Sequence, residues 1–172
     1  GSEWLCSTPD GYWDSSTNGG DLVAMVQGMN VWKIDQFAVK NNRPDIIMER
    51  LGMNSKEIIS HYFIQHQKRL KKLGLTEDQL ANDYYVPSAK ITETKQREKF
   101  VDVKFNLSDQ KYNLKRYNVY VNDVPLYGSY GKNITGNTID LSVSLELITG
   151  ENKIEISCMN EKGSESFRAL SY

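Results

Sequence analysis

The chain has 172 residues, a net charge of −1 and a pI of about 6.2, and 39% of its residues are hydrophobic. This length allows one large or two small globular domains, and the balanced charge gives no electrostatic reason to expect nucleic acid or a membrane surface as a partner. Two cysteines, Cys6 and Cys158, exclude a disulfide framework and a cysteine-based metal cluster. No glycine-rich phosphate loop is present, and we expect no cofactor.

The first region opens with two short apolar runs on either side of a turn. Trp4 to Ser7 and Tyr12 to Asp14 flank Pro9-Asp10-Gly11, a pattern that predicts a β-hairpin. The apolar run from Leu22 to Val26 follows a polar, glycine-containing stretch and predicts a further strand. The chain starts in the middle of a pattern after Gly1-Ser2, so we expect a fragment of a longer protein.

A helical pattern dominates the middle of the chain. Asn54 followed by Glu57 approximates a capping box, and Gly74 is a typical residue after a helix end. Between them, apolar residues recur at helical spacing and predict one stripe that must pack on the first region or on the third. The members of this stripe are Ile58, Ile59, Tyr62, Phe63, Leu70 and Leu73. Helices are expected over about 35–40, 45–51, 55–73 and 77–83.

The third region, after Pro87, alternates apolar and polar residues, which is typical of strands with one buried face. The longest alternation runs from Ile139 to Leu147. Strands are expected over about 90–94, 101–107, 116–121, 124–127, 139–147, 154–158 and 167–171. The predicted fold class is α+β: a small mixed α/β region with helices over 1–86, followed by an all-β immunoglobulin-like sandwich over 87–172.

Several of these segments resemble one family. The stretch Thr8-Pro9-Asp10-Gly11-Tyr12-Trp13-Asp14 is similar to the T-P-x-G-Y-x-D segment that follows the blades of certain bacterial WD-repeat β-propeller proteins. Ile34-Asp35-Gln36-Phe37 and Arg43-Pro44-Asp45 are similar to segments that come soon afterwards in that family. Tyr117 to Pro125 and the turn at Gly150 to Ile154 are similar to parts of the immunoglobulin-like domain that commonly follows.

The resemblance implies a fragment of a bacterial multidomain scaffold, with a propeller upstream as the expected partner. Some members of the family also carry a caspase-like peptidase domain. Neither propeller repeats nor a peptidase motif occurs in these 172 residues, and the helical stretch from Asn54 to Asp83 is longer than the family pattern. The resemblance leaves the compartment open.

Catalytic chemistry finds little support in the sequence. Cys6 lacks a nearby nucleophile motif and histidine base. His61 and His66 are five residues apart, so on a helix they point in different directions and cannot share a metal ion. His66 falls within the apolar stripe, which predicts a packed histidine, and Cys158 occupies an inward strand position without a cysteine partner, which predicts a core residue. Asp10, with Asp14, Asn18 and Asp21, suits turns rather than the spacing of a calcium loop.

Aromatic residues are the candidate binding groups. The candidate surface comprises Trp13, Trp32, Tyr120, Tyr127 and Tyr130. Exposed and coplanar, they could stack on sugars or contact a protein, whereas buried tryptophans would form the core of the first region.

Taken together, these patterns predict a non-catalytic protein-protein interaction or spacer module. Its expected partner is another domain of the parent protein or another protein. The alternatives are a carbohydrate-binding module and an accessory region of a caspase-like peptidase protein.

Overall fold

The computed structural model describes residues 2–53, 55–80 and 85–172. The chain divides into two compact units, Gly1–Leu80 (unit 1) and Ala81–Tyr172 (unit 2), close to the boundary at 86/87 drawn from the sequence. Helices account for 24% and strands for 41% of the structure, and the sheets are antiparallel. The described helices all belong to unit 1, which makes this an α+β protein.

The described part of unit 1 consists of two small hairpins followed by helices. Its strands are β1 (Leu5–Ser7), β2 (Trp13–Ser15), β3 (Ala24–Gln27) and β4 (Asn30–Lys33). Its α-helices are α1 (Ala38–Asn41), α2 (Pro44–Arg50) and α3 (Lys56–Leu73). Turns of 3₁₀ helix lie at Gly19–Leu22, Ile34–Phe37 and Glu77–Gln79. β1 pairs with β2 and β3 with β4, both antiparallel.

The first hairpin has the turn that the sequence predicts. The Thr8 N–H donates to the Tyr12 carbonyl at 2.8 Å, and the Gly11 N–H donates to the Thr8 carbonyl at 2.9 Å. Gly11 has φ of 88°, a conformation that glycine adopts without steric cost. This turn directs β2 back along β1 and places Trp13 in the core of unit 1.

The long helix ends as its sequence indicates. Gly74 has φ of 64°, and the Leu75 N–H donates to the Leu70 carbonyl at 2.9 Å. This six-to-one bond, together with the left-handed glycine, is a Schellman motif. The helix begins at Lys56 after Ser55; the predicted capping residue Asn54 lies outside the described residues.

The other predicted helices differ in type or length. The segment 35–40 forms a 3₁₀ turn that continues into α1, and 45–51 corresponds to α2. Of the predicted helix 77–83, the described residues 77–80 contain a single 3₁₀ turn, Glu77–Gln79, which Thr76 and Gln79 cap reciprocally; 81–83 lie outside the described residues. The predicted strand at Leu22 to Val26 is interrupted, because Leu22 ends a 3₁₀ turn and pairing starts only at Ala24.

Unit 2 is built from antiparallel strands. The strands are β5 (Ser88–Arg97), β6 (Phe100–Ser108), β7 (Leu114–Val121), β8 (Val124–Pro125), β9 (Lys132–Gly136), β10 (Thr138–Glu146), β11 (Ile154–Asn160) and β12 (Ala169–Ser171). One sheet has the order β10-β6-β5, and the other has the order β12-β11-β7-β8, with β9 also paired to β7. β9 was not predicted, because Lys132–Gly136 carries one apolar side chain, Ile134, and no alternation.

The core of unit 2 draws on both sheets. Its buried members are Val101, Val103, Phe105, Leu107, Leu114, Tyr117, Val119, Leu145, Ile154, Ile156 and Cys158. The predicted alternation accounts for them: in β6 the odd residues are buried and face the same core as the odd residues of β7. β11 is buried along its whole length. β7 pairs with it on one side; on the other side β12 pairs with residues 154–156, and Glu165 and Ser166 lie beside Met159 and Cys158.

Candidate functional site

Two tryptophans of the candidate aromatic surface lie in unit 1. Trp13 is only 4% exposed and is therefore part of the core rather than of a ligand-binding face. Trp32, on β4, is half-buried, and its ring meets Phe37 edge-on at 5.9 Å between centroids and 89° between planes. Both rings are thus used largely in packing, as aromatic residues of small domains commonly are.

The three candidate tyrosines lie in unit 2 and have different environments. Tyr120 is half-buried beneath Arg168, whose Cζ atom is 3.9 Å from the ring centroid. Tyr127 packs edge-on against the core residue Tyr117 at 5.4 Å. Tyr130 is 41% exposed. No coplanar pair of exposed rings emerges from these five residues, so they do not form a stacking platform for sugars.

A buried ion pair organises the helical part of unit 1. The Nε and Nη2 atoms of Arg43 donate to the two carboxylate oxygens of Asp45 at 2.9 and 2.7 Å, and Nη1 lies 3.4 Å from Glu77. Burial acts to raise the pKa of Asp45, but the hydrogen bonds and charge of Arg43 outweigh it and hold that pKa below its ordinary value. The same hydrogen bonds raise the pKa of Arg43. The pairing therefore favours the charged form of both groups.

His66 joins this network from α3. Its Nδ1 atom lies 3.1 Å from Nη2 of Arg69, and its Nε2 atom lies 2.7 Å from Oε1 of Glu77. Because a guanidinium can only donate, Nδ1 must accept, and Nε2 carries the proton and donates to the carboxylate. Burial, aided by the charge of Arg43, lowers the pKa of His66. This is the packed histidine that the sequence predicts, with both ring nitrogens bonded.

The network also joins the two motifs that carry the family resemblance. The Arg43 and Arg50 guanidinium carbons each lie 5.9 Å from the centroid of the Tyr12 ring. Arg50 forms a two-pronged ion pair with Asp10 at 2.5 and 2.8 Å. The Arg43 N–H also donates to the carbonyl of Trp13 at 3.0 Å. Residues 8–14 and 43–50 therefore stabilise each other, which gives the motifs a structural role.

The remaining chemical candidates do not assemble into a catalytic site. Cys158 is buried, and burial raises the pKa of its thiol to about 12, so it is no nucleophile at neutral pH. Cys6 is a half-exposed free thiol in β1, whereas His66 is committed to Glu77 and Arg69. Among the described residues, no group of three or more histidine, cysteine or acidic side chains could hold a metal ion.

Unit 1 instead presents a large apolar surface. Its described residues include seven buried large apolar side chains and twelve exposed ones. The buried ones are Trp13, Phe37, Ile47, Leu70, Leu73, Leu75 and Leu80. The exposed ones are Trp4, Leu22, Val23, Val26, Met29, Val31, Leu51, Met53, Ile58, Tyr62, Phe63 and Ile64. Scattered exposed apolar residues are normal, but contiguous groups mark interaction sites.

Two of these groups are contiguous. On α3, Phe63 lies seven residues before Leu70 and Tyr62 lies eleven residues before Leu73, so each shares a face with a buried leucine. Both are nevertheless exposed, by 45% and 37%, as is Ile58 one turn before Tyr62, by 49%. We call Ile58, Tyr62 and Phe63 the α3 apolar face. The predicted stripe is thus fully buried only in its C-terminal half, while Ile59 in the N-terminal half is half-buried.

The second group lies on the β3–β4 hairpin. Val26 and Val31 are cross-strand neighbours on one face, and both are exposed, while Met29 at the turn is 98% exposed. The sequence analysis did not single out these residues. The sequence feature that could have indicated this group is the pair of valines, Val26 and Val31, on either side of the tight turn at Gly28, whose φ is 62°.

A modest cleft of about 290 Å³ lies in unit 2 between β5 and the end of β12. Asn152 lines it, but its amide donates to the Ile148 and Gly150 carbonyls and accepts from the Ile148 N–H. The Asn152 amide therefore holds a loop. None of the candidate tyrosines lines this cleft.

Comparison of the chain with protein-family models, with curated proteins and with solved structures gives no match. Within the part of the chain that the structure describes, no helix has both the length and the apolar character needed to cross a membrane. The functional proposal therefore depends on the geometry of the chain itself.

Proposed function

We propose that this chain is a non-catalytic interaction and spacer module of a larger bacterial multidomain protein. Unit 1 docks on a neighbouring domain of the parent protein. Unit 2 is an immunoglobulin-like sandwich that acts as a spacer between domains or as a binding surface for another protein. The observation that carries the proposal is the apolar imbalance of unit 1, which exposes twelve large apolar side chains and buries seven among its described residues.

The physical argument is one of incomplete burial. Burying apolar surface contributes about 25 cal/mol per Å², so a small unit that exposes twelve large apolar side chains among its described residues forgoes part of its stability. The α3 apolar face continues the stripe of Leu70 and Leu73, and a partner that covers it would extend the existing core. The occupant that fits is the apolar flank of an adjacent folded domain.

The family resemblance supports the same partner. The motif residues Asp10, Tyr12, Arg43 and Arg50 contact one another within unit 1, as expected if they shape a segment that follows a propeller. An upstream propeller is therefore the proposed neighbour of unit 1.

The strand order supports the immunoglobulin-like assignment of unit 2. Numbered from the first strand of the unit, the sheets read 6-2-1 and 8-7-3-4, which is the A-B-E and G-F-C-C′ arrangement of such sandwiches. Cys158 lies on the penultimate strand, where antibody domains have a disulfide cysteine, and the facing strand has Val103 and Phe105 instead. Aliphatic and aromatic packing takes the place of that bond.

The test is a binding measurement with a matched control. The segment that precedes this chain in the full-length gene is produced separately, and its affinity for the 172-residue chain is measured by titration calorimetry. Ile58→Glu/Phe63→Glu, on exposed positions of the α3 apolar face, is expected to weaken binding at least about tenfold, since each buried apolar side chain contributes about 1.5–3 kcal/mol. Ser60→Glu/Lys68→Glu, at exposed positions on the opposite face of α3, serves as the control.

Equal affinity of both double variants would remove the α3 apolar face from the interface. A parent gene without an upstream domain, or no binding by the wild-type chain, overturns the docking proposal.

A further inference from the structure

The strand β10 ends its sheet with an open edge. It pairs with β6 on one side, and no other strand of residues 85–172 pairs with it. The Leu147 N–H donates to the Lys99 carbonyl at 2.7 Å, and the Asp109 N–H donates to the Asn137 carbonyl at 2.8 Å. Because hydrogen-bonded pairs alternate along an antiparallel ladder, the odd-numbered residues of β10 bond to β6. The even-numbered residues therefore direct their N–H and C=O groups outward.

This edge lacks most of the features that usually prevent strand pairing, and its charged residues are Asp140 and Glu146. Edge strands are commonly short, bulged, or rich in lysine and proline. β5, at the other end of the same sheet, has a bulge between Ile91 and Glu93 and carries Lys90, Lys95 and Arg97. In the second sheet β12 has three residues, and β8 has two, one of them Pro125. β10 has nine residues in unbroken register, with neither lysine nor proline.

We propose that β10 pairs antiparallel with β10 of a second copy of this chain, with Ser142 on the two-fold axis. In this register Asp140 lies opposite Ser144 of the second copy, and Glu146 lies opposite Thr138 of the second copy. Each carboxylate thus meets a hydroxyl that can donate a hydrogen bond. All five outward residues of each strand exchange backbone hydrogen bonds with the other copy.

Charge disfavours one of the two neighbouring registers. Shifting the pairing by two residues, so that Val143 lies on the axis, would place Asp140 opposite Glu146 of the second copy. Like charges directly opposite each other destabilise a strand pair. The proposed register needs no pairs of opposite charge. The residues opposite the two carboxylates, Thr138 and Ser144, carry hydroxyl groups, and Ser142 pairs with Ser142 of the second copy.

The inward face of β10 favours the same pairing. Ile139, Leu141 and Val143 are only half-buried at this edge, although they pack against the core of unit 2. In the proposed register Ile139 lies opposite Leu145 of the second copy, and Leu141 opposite Val143 of the second copy. The apolar face of the sheet therefore continues across the two-fold axis, and the half-buried side chains gain apolar neighbours.

The first test measures association of the whole chain by sedimentation over a wide range of concentration. The wild-type chain is expected to form a dimer. Ser142→Pro removes an outward N–H that makes no bond within unit 2, so the fold is retained and the dimer is lost. Ser142→Thr keeps the N–H and the hydroxyl, and is expected to dimerise like the wild type.

The second test fixes the register without proline. Ser144→Asp places a carboxylate opposite Asp140 of the second copy twice in each dimer, and is expected to raise the dimer dissociation constant about tenfold. Adding Asp140→Lys to Ser144→Asp creates two opposite-charge pairs and is expected to restore dimerisation. Restoration by the second substitution distinguishes pairing from a loss of folding.

A wild-type chain that stays monomeric at the highest concentration overturns the proposal, whether or not a foreign peptide strand binds the edge. A Ser142→Pro variant that still dimerises also overturns it. The substitutions Ile58→Glu/Phe63→Glu lie in unit 1 and are expected to leave the dimer unchanged. Failure of the docking proposal and failure of this one are therefore distinguishable.

Discussion

The Nε2 atom of His66 lies 2.7 Å from Oε1 of Glu77, and the opposite ring nitrogen accepts from Arg69. This arrangement fixes a neutral imidazole, because a second ring proton would oppose the Arg69 donor. The pair connects α3 to the 3₁₀ turn at Glu77–Gln79, and Arg43 extends it to α2 through Asp45. The stability of unit 1 therefore depends on the charge states within this network.

Unit 1 is expected to lose stability as the pH falls below about 6.5, the ordinary pKa of histidine. The pKa of His66 is lowered in the folded state by burial and by Arg43, so the unfolded chain binds a proton first, and each step toward acid favours unfolding. Urea unfolding between pH 5 and 8, followed by tryptophan fluorescence, measures this effect. All three tryptophans (Trp4, Trp13 and Trp32) lie in unit 1 and report on it alone.

His66→Gln, which cannot be protonated, is the control for that experiment. Its free energy of unfolding is expected to vary less with pH over the same range, although it is lower at neutral pH. An unchanged pH slope would assign the acid sensitivity to other groups.

Arg43→Ala is expected to destabilise unit 1 by about 3–5 kcal/mol, because it leaves the buried Asp45 carboxylate without its partner. Arg50→Ala provides a matched control, since Arg50 also contacts Tyr12 but forms an exposed ion pair with Asp10. Exposed pairs contribute little, so this variant is expected to unfold almost like the wild type. Denaturation followed by tryptophan fluorescence compares the two, and equal losses would contradict the assignment.

Asn160→Ala is expected to destabilise unit 2 by on the order of 3 kcal/mol. The amide of Asn160 is fully buried; its Nδ2 donates to the Tyr85 carbonyl and to Asp109, and its Oδ1 accepts from the Lys162 and Ser164 N–H groups. Removing it leaves these partners unsatisfied.

Hydrogen exchange of the β11 amides measures this loss. Asn133→Ala, at an exposed position of β9, is the control and should leave the protection unchanged. Similar protection in the two variants would show that the buried amide is dispensable.

The two thiols are expected to react at very different rates. Cys158 is buried with a pKa raised to about 12, whereas Cys6 is half-exposed. Alkylation of the native chain, followed by peptide mass analysis, should label Cys6 alone, and Cys158 should react only after unfolding. Labelling of Cys158 under native conditions at the rate of Cys6 would contradict the burial of β11. In the Cys6→Ser variant, Cys158 is the remaining thiol, so its slow alkylation can be measured alone.

Periodic patterns accounted for much of the fold. The alternation from Ile139 to Leu147 predicted β10, and the helical stripe predicted α3 almost to the residue, because both elements carry apolar residues at the period of their own structure. β9 was missed since its pairing depends on β7 rather than on its own apolar residues. The short 3₁₀ turn at Glu77–Gln79 was predicted as a longer helix, because its capping box is the same as that of an α-helix.

The interaction surfaces were less predictable. The sequence predicted the apolar stripe of α3, but whether Ile58 and Phe63 are covered depends on what lies opposite them in space. Trp13 and Trp32 entered the candidate surface by residue type, and local pairing in β2 and β4 directs them inward or against Phe37. The open edge of β10 follows from sheet order, which strand patterns alone do not determine.

The pairing of β12 has a mechanical consequence. Ser88 lies beside Cys158 at one end of β11, and Ser171 pairs with Ile154 at the other end, so tension applied at the two ends of unit 2 pulls along the strands. β12 resists with three residue pairs, while β5 has nine with β6. Under load we expect β12 to detach first and to lengthen the chain before the core of unit 2 opens. Force spectroscopy would show this detachment as a small step before the main unfolding event. Unfolding in a single step would contradict the expectation.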